Sequence, residues 1–219
     1  IRQGNSISLA SKKMDIWEAQ FKAFIEAQIG GDAAHDLSHL LRVVKTAKAL
    51  AHSEGANVAV VIPAAWLHDC VHVAKNSPLR SQASRMSAEQ AVLFLQEIGY
   101  PKNHLPAIRH AIVAHSFTAN ITPETLEAKV VQDADRLDSI GAVGLARCLM
   151  LGGEWGRPLY ALDDPFCHSR EPNDGVFTLD HFYTKLLRLP EMLQTASGRK
   201  EGEMRAAYLH AFLAQLAQE

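Results

Sequence analysis

An all-α fold is what this sequence predicts, on three observations. Apolar residues recur at three- and four-residue spacing along nearly the whole chain, the mark of helices with one buried stripe. No segment alternates convincingly between apolar and polar residues, as a half-buried strand does. Glycines and prolines punctuate the periodic stretches at intervals natural to helices. No internal repeat accompanies them.

Trp17, Phe21, Phe24 and Ile25 predict a first amphipathic helix, stopped by Gly30-Gly31. Leu40, Val43, Val44, Ala47 and Leu50 predict a second, ending before Gly55. The third, from Val58 to about Val71, is apolar all round and contains Pro63, which predicts a kink or a late start. Ser87, Ala88, Ala91, Val92 and Leu95 predict a fourth, ended by Gly99, and a fifth runs from Asn103 to His115. Thr122-Pro123 reads as a cap with proline at the first helical position, opening a sixth. Another follows from Ile140 to Leu151. Residues 152–177 hold four glycines and three prolines without a period, and predict a long irregular excursion of the functional kind. Helices resume over Thr178–Leu193 and from Gly198 to the end.

A chain of 219 residues can bury a substantial core and fits one domain, residues 14–219, behind a disordered extension or tag over residues 1–13. Apolar residues make up 47 % and charged residues 21 %, as in an ordinary soluble protein. A net charge of −2 disfavours a nucleic-acid coat protein. Cys70, Cys148 and Cys167 match neither a zinc-finger spacing nor a disulfide framework, which predicts a reduced, cytoplasmic chain. The longest apolar run, Val58 to Leu67, is too short to span a bilayer, and no membrane partner is expected.

Chemistry-bearing residues stand in one order: His39, then His68-Asp69, then Asp135. Imidazoles and carboxylates at the ends of apolar helices are costly to bury unless paired or metal-bound. With no thiol among them, the set suits a hard or borderline divalent ion. His68 and Asp69 lie about 100° apart on a helix, so both reach one ion near its end. Asp133 and Asp135 flank opposite sides of the stripe Val130, Ala134, Leu137, so only one easily reaches a common metal.

These motifs resemble the HD-domain metal-dependent phosphohydrolases: His39 in His-Asp-x-x-His-x-x-Arg-Val, the doublet His68-Asp69, and Asp135 in Ala-Asp-Arg-Leu. His115-Ser116-Phe117, Val131 to Asp138, Gly141-Ala142-Val143-Gly144 and His181 to Leu187 look like a subgroup of small stand-alone bacterial members, over roughly residues 14–219. The resemblance implies an HD-type helical bundle around one ion held by His39, His68, Asp69 and Asp135. It also implies hydrolysis of nucleoside triphosphates. Two imidazoles and two carboxylates leave open positions on a six-coordinate ion but would close a tetrahedral zinc site, so Mn²⁺, Mg²⁺, Fe²⁺ or Ni²⁺ is expected. Such an ion polarises a phosphoryl oxygen and acidifies a bound water.

Asp36 either caps its helix or orients His39 or a bound water; the resemblance places it, with Asp69 and His115, beside the chemistry. His115 is either catalytic or a core histidine. A polyphosphate requires cations, and His181 and Lys185 are candidates, with Arg188 further out and Lys75, Arg80 and Arg157 as further candidates. His181, Lys185 and Arg188 fall at i, i+4, i+7, a basic stripe if one helix carries them. Cys70 reads as a small buried apolar residue, and His110 as an ordinary helix residue. Gly99-Tyr100-Pro101 spells the tripeptide of the cyclic-dinucleotide phosphodiesterase branch, but without that branch's upstream block it reads as a helix stop. The competing class is a non-catalytic, nucleotide- or metal-binding regulator, against which the intact ligand set argues.

Overall fold

The computed structural model describes residues 9–28, 33–73, 77–116 and 119–219, with side chains at 9–11 and 33–36 left aside. Among the described residues all regular structure is helical, in nine α-helices joined by turns and short 3₁₀ segments. The chain divides into two compact units, 1–132 and 133–219. The first helix, α1 (Leu9–Gln28), starts inside the stretch read as an extension, so residues 9–13 are helical.

The first unit holds α1, α2 (Ala33–Glu54), α3 (Val58–Leu67), α4 (Ala83–Glu97), α5 (Leu105–His115) and the start of α6 (Leu126–Leu137). The apolar α3 is its centre. Val60 to Leu67 are all buried, and α1, α2, α4 and α5 pack around them. Asn57 caps α3 by accepting from Ala59 N at 3.0 Å. Glu18 of α1 spans the packing, accepting from Lys48 Nζ at 2.6 Å and from Trp66 Nε1 at 2.9 Å.

Pro63 sits inside α3 and donates no hydrogen bond to the carbonyl of Ala59. That carbonyl is served from another helix, by the Tyr100 hydroxyl at 2.8 Å. Tyr100 arrives there because α4 ends in a Schellman stop. Gly99 takes φ +74°, its N–H donates to Gln96 O at 3.1 Å, and Tyr100 N donates to Leu95 O at 2.8 Å. The Gly-Tyr-Pro tripeptide is thus a helix stop that also repairs a proline break.

The sixth helix opens one turn later than Thr122-Pro123 predicts. Thr125 is the cap, its Oγ1 accepting from Ala128 N at 3.2 Å, while Glu124 N donates to His110 Nε2 at 3.0 Å. Proline at a first helical position is a statistical preference, and here the competing threonine cap prevails.

The second unit holds the end of α6, α7 (Gly141–Glu154), the five-residue α8 (Asp180–Thr184) and α9 (Ala196–Leu216). Between α7 and α8 the excursion has no regular structure, as expected, but many ties. Thr178 N and Leu179 N donate to Pro158 O and Leu159 O at 3.0 and 2.8 Å. Gly152 lies so close to Thr178 that a Cβ would fall 2.2 Å from its Oγ1. Arg170 forks onto fully buried Asp180 at 2.6 and 2.7 Å. Burial opposes the charge of Asp180, but Arg170 and the N–H of Asn173 hold its carboxyl below the usual range.

The helix expected over Thr178–Leu193 is not continuous. It breaks at Lys185, with φ −140° and ψ −59°, and continues as two 3₁₀ turns, Leu186–Arg188 and Pro190–Met192. Pro190 gives Leu186 O no N–H, and Leu189 N donates to it instead at 3.3 Å. Phe182, Leu186, Leu189 and Leu193 are nevertheless all buried, since spacings of three and four also suit the tighter turns.

Candidate functional site

The HD doublet lies where the central helix runs out. His68 is the C-cap of α3 and wholly buried, and Asp69 follows it half-exposed, with 56 % of its side chain accessible. The last turn of a helix carries carbonyls with no intrahelical partner. His68 satisfies one of them, its Nδ1 donating to Ala65 O at 2.8 Å. His115, the last residue of α5, repeats the arrangement, its Nδ1 donating to Ile112 O at 2.6 Å. A ring whose Nδ1 carries the proton presents the lone pair of Nε2. Both Nε2 atoms face Asp69, at 3.7 Å for His68 and 3.4 Å for His115.

His39, on α2, joins from a third helix. Its ring centroid lies 5.6 Å from that of His68, and that of His115 lies 4.7 Å from His68. His68, Asp69 and His115 each offer one ligand atom, all within 4.8 Å of one another, and one atom each of His39 and His68 meets the same limit. Desolvation raises the pKa of Asp69, but His68, His115 and His39 in their protonated form outweigh it, His115 also donating a hydrogen bond, and hold the carboxyl well below the ordinary range. A divalent cation replaces those protons, so that the carboxylate and the neutral imidazoles make a donor set that fits it.

The surroundings hold the doublet in place. Ser87 Oγ accepts from Val71 N at 3.2 Å, and Cys70 Sγ donates to Ser87 O at 3.3 Å, fastening the chain after Asp69 to α4. Burial pushes the Cys70 thiol up to about 12, in keeping with an inert apolar residue. Gln132, also buried, donates its amide to Ala114 O at 2.7 Å and so ties the end of α5 beside His115 to α6. Gln132 went unread as a support; an isolated glutamine in an apolar helix carries no pattern that names its partner.

Of the remaining sequence candidates, Asp135 lies half-buried on α6. Asp36 lies within α2, which starts ahead of it at Ala33, so the capping alternative falls; its side chain and all of Lys75 lie outside the described residues. Asp133 is fully buried and committed elsewhere, accepting from Gln194 N, Thr195 N and Thr195 Oγ1 at 2.8, 2.8 and 2.7 Å. Burial raises its pKa against those bonds. Arg80 donates to Val73 O at 2.8 Å.

The expected basic stripe is corrected by the break at Lys185. His181 and Lys185 remain one α-turn apart, with Lys185 N donating to His181 O at 3.1 Å, but Arg188 is on a 3₁₀ turn and exposed. Arg157 stacks on Trp155, 4.4 Å from the ring centre. His181 Nδ1 donates to Asp174 Oδ2 at 2.8 Å.

Comparison with known proteins agrees with this reading. The HD domain pattern matches residues 36–140. Uncharacterized protein YpgQ of Bacillus subtilis is 32 % identical over 205 residues, 91 % of this chain and 92 % of its own. A crystal structure of YpgQ in complex with ADP matches with TM-score 0.68, covering 91 % of this chain and 93 % of that one. An HD-superfamily hydrolase from Bacillus thuringiensis matches with TM-score 0.73 at 31 % identity, covering 94 % of this chain and 97 % of its own. The chain belongs to the HD-domain family, among its small bacterial hydrolases. No described helix is long and apolar enough to cross a membrane.

Proposed function

We propose that this protein is a cytoplasmic, metal-dependent hydrolase of phosphate ester or anhydride bonds in nucleotides, acting on nucleoside triphosphates as a phospho- or diphosphohydrolase. The observation that carries the reading is the pair of helix-end histidines. Each spends Nδ1 on its own helix and turns Nε2 toward Asp69. The ADP bound by YpgQ supports a nucleotide as the ligand.

Residues 14–219 act as one HD domain in this reading. His39, His68, Asp69 and Asp135 hold one divalent ion, with Mn²⁺, Mg²⁺, Fe²⁺ or Ni²⁺ preferred to zinc. When bound, the ion supplies Lewis-acid polarisation of a phosphoryl oxygen and lowers the pKa of water. His115, hydrogen-bonded through Nδ1, keeps Nε2 for a proton or a ligand beside Asp69. Asp36 orients His39 or water, and Lys75, Arg157, His181 and Lys185 bind the phosphate chain.

The test is hydrolysis of a nucleotide panel by metal-stripped protein, alone and with each divalent ion, with products identified and the water labelled with ¹⁸O. Metal-dependent release of phosphate or pyrophosphate with label in one product supports the reading. No hydrolysis with any ion, or a trapped phosphoryl- or nucleotidyl-enzyme, overturns it.

A further inference from the structure

We propose that Asp174, in the excursion before α8, is the positioning residue for a phosphate-binding His181, an inference that rests on the nucleotide-hydrolase reading. The Asp174 carboxylate takes two side-chain donors through Oδ2, His181 Nδ1 at 2.8 Å and Thr184 Oγ1 at 2.9 Å. A carboxylate only accepts, so Nδ1 of His181 carries its proton and Nε2 is the ring nitrogen left for a ligand.

The neighbourhood is consistent with a positioning role. Hydrogen bonding from His181, and from Thr184 against partial burial, holds Asp174 ionised below the usual carboxylate range. Arg157 and Cys148 also interact electrostatically with Asp174, and Thr184 closes the pair from α8. Arg157 adds a positive charge that also lowers the same carboxyl. The pair is rooted in ordered chain, since Asn173, next to Asp174, donates its N–H to buried Asp180 at 2.6 Å. His181 stays about a third exposed.

The experiment compares wild type, Asp174→Asn, His181→Ala and the double variant, each loaded with Mn²⁺, using ADP as the probe in calorimetry and ¹⁵N NMR of the imidazoles. Asparagine fills the space of aspartate and can also donate, so it releases the ring from the Nδ1–H form. The expected result is about tenfold weaker ADP binding in either single variant, and no further loss in the double. Bound metal stays unchanged, and the ¹⁵N signature of His181 shifts in Asp174→Asn. Wild-type affinity or an unchanged signature in Asp174→Asn overturns the inference while leaving the hydrolase reading intact. Additive losses in the double variant also overturn it, since they place Asp174 and His181 in separate roles. Failure of the wild type to bind ADP overturns the nucleotide reading and this inference together.

Discussion

Removing one hydroxyl, in Tyr100→Phe, tests how the central helix tolerates its proline. Tyr100 is 3 % exposed, and its ring contacts with Trp17 and Phe21, at centroid distances of 5.1 and 6.0 Å, survive in phenylalanine. What is lost is the 2.8 Å bond to Ala59 O, the carbonyl that Pro63 leaves without an intrahelical donor. An orphaned buried carbonyl costs about 1–3 kcal/mol. For a chain of this length that lowers Tm by roughly 2–10 °C. Urea or thermal unfolding followed by circular dichroism reads it directly. The decisive comparison repeats the substitution in a Pro63→Ala background, where residue 63 regains an N–H for Ala59 O. There the cost of Tyr100→Phe falls well below its cost in the native background, a coupling on the order of 1 kcal/mol. Equal costs in both backgrounds would refute the proposed exchange of donors.

Three further outcomes follow. Asp69→Ala is expected to lose most of its bound divalent metal by elemental analysis and to lose hydrolysis with it; tight stoichiometric metal in that variant would remove Asp69 from the ligand set. Asp133→Ala strands Gln194 N, Thr195 N and Thr195 Oγ1, so a loss of about 3 kcal/mol is expected in urea unfolding. Backbone N–H groups of Ser169 and His168 lower the carboxyl of Asp164 from 3.8 to about 2. A depressed folded pKa gives stability that is present above the unfolded value and lost as pH falls through the folded one. Asp164→Ala should therefore flatten the pH dependence of stability between about pH 4 and pH 2, and an unchanged acid profile would count against that assignment.

The helices were legible because each first-unit helix buries one face, or in α3 nearly all, and burial at helical spacing leaves a visible period. Phe21 and Ile25, or Leu40, Val43 and Ala47, announce their faces by spacing alone. The HD doublet was legible for the opposite reason, since His68-Asp69 breaks the most apolar stretch of the chain at its end. What sequence did not disclose depends on the partners of individual polar groups. Nothing in the spacing says that Tyr100 completes a bond for Ala59, or that Asp174 meets His181 and Thr184. The basic stripe beyond α8 failed because leucines at three- and four-residue intervals satisfy a 3₁₀ turn and an α-helix equally, so the break at Lys185 left no mark in the apolar pattern. Asp133 illustrates a partial success. Its position opposite Asp135 around the helix placed the two in different roles, but its bonds to Gln194 and Thr195 come from sixty residues away.

The two histidines facing Asp69 show why such a site arises at helix ends. A helix closing at His68 or His115 leaves carbonyls unpaired in its last turn. An imidazole there satisfies the carbonyl three residues back and, by that bond, fixes which nitrogen keeps its lone pair. The same helix ends carry the negative pole of the backbone dipole, which favours a cation in front of them. One residue choice thus meets three demands: capping, tautomer and cation affinity. A glutamine at either position retains hydrogen-bonding capacity, though not the fixed ring, and loses the imidazole lone pair. The helix-end argument therefore separates fold from function at these positions: His115→Gln should unfold close to wild type while the electrostatics around Asp69 change. A large loss of stability in His115→Gln would mean that the ring's packing against His68, rather than its lone pair, is what holds this end of α5.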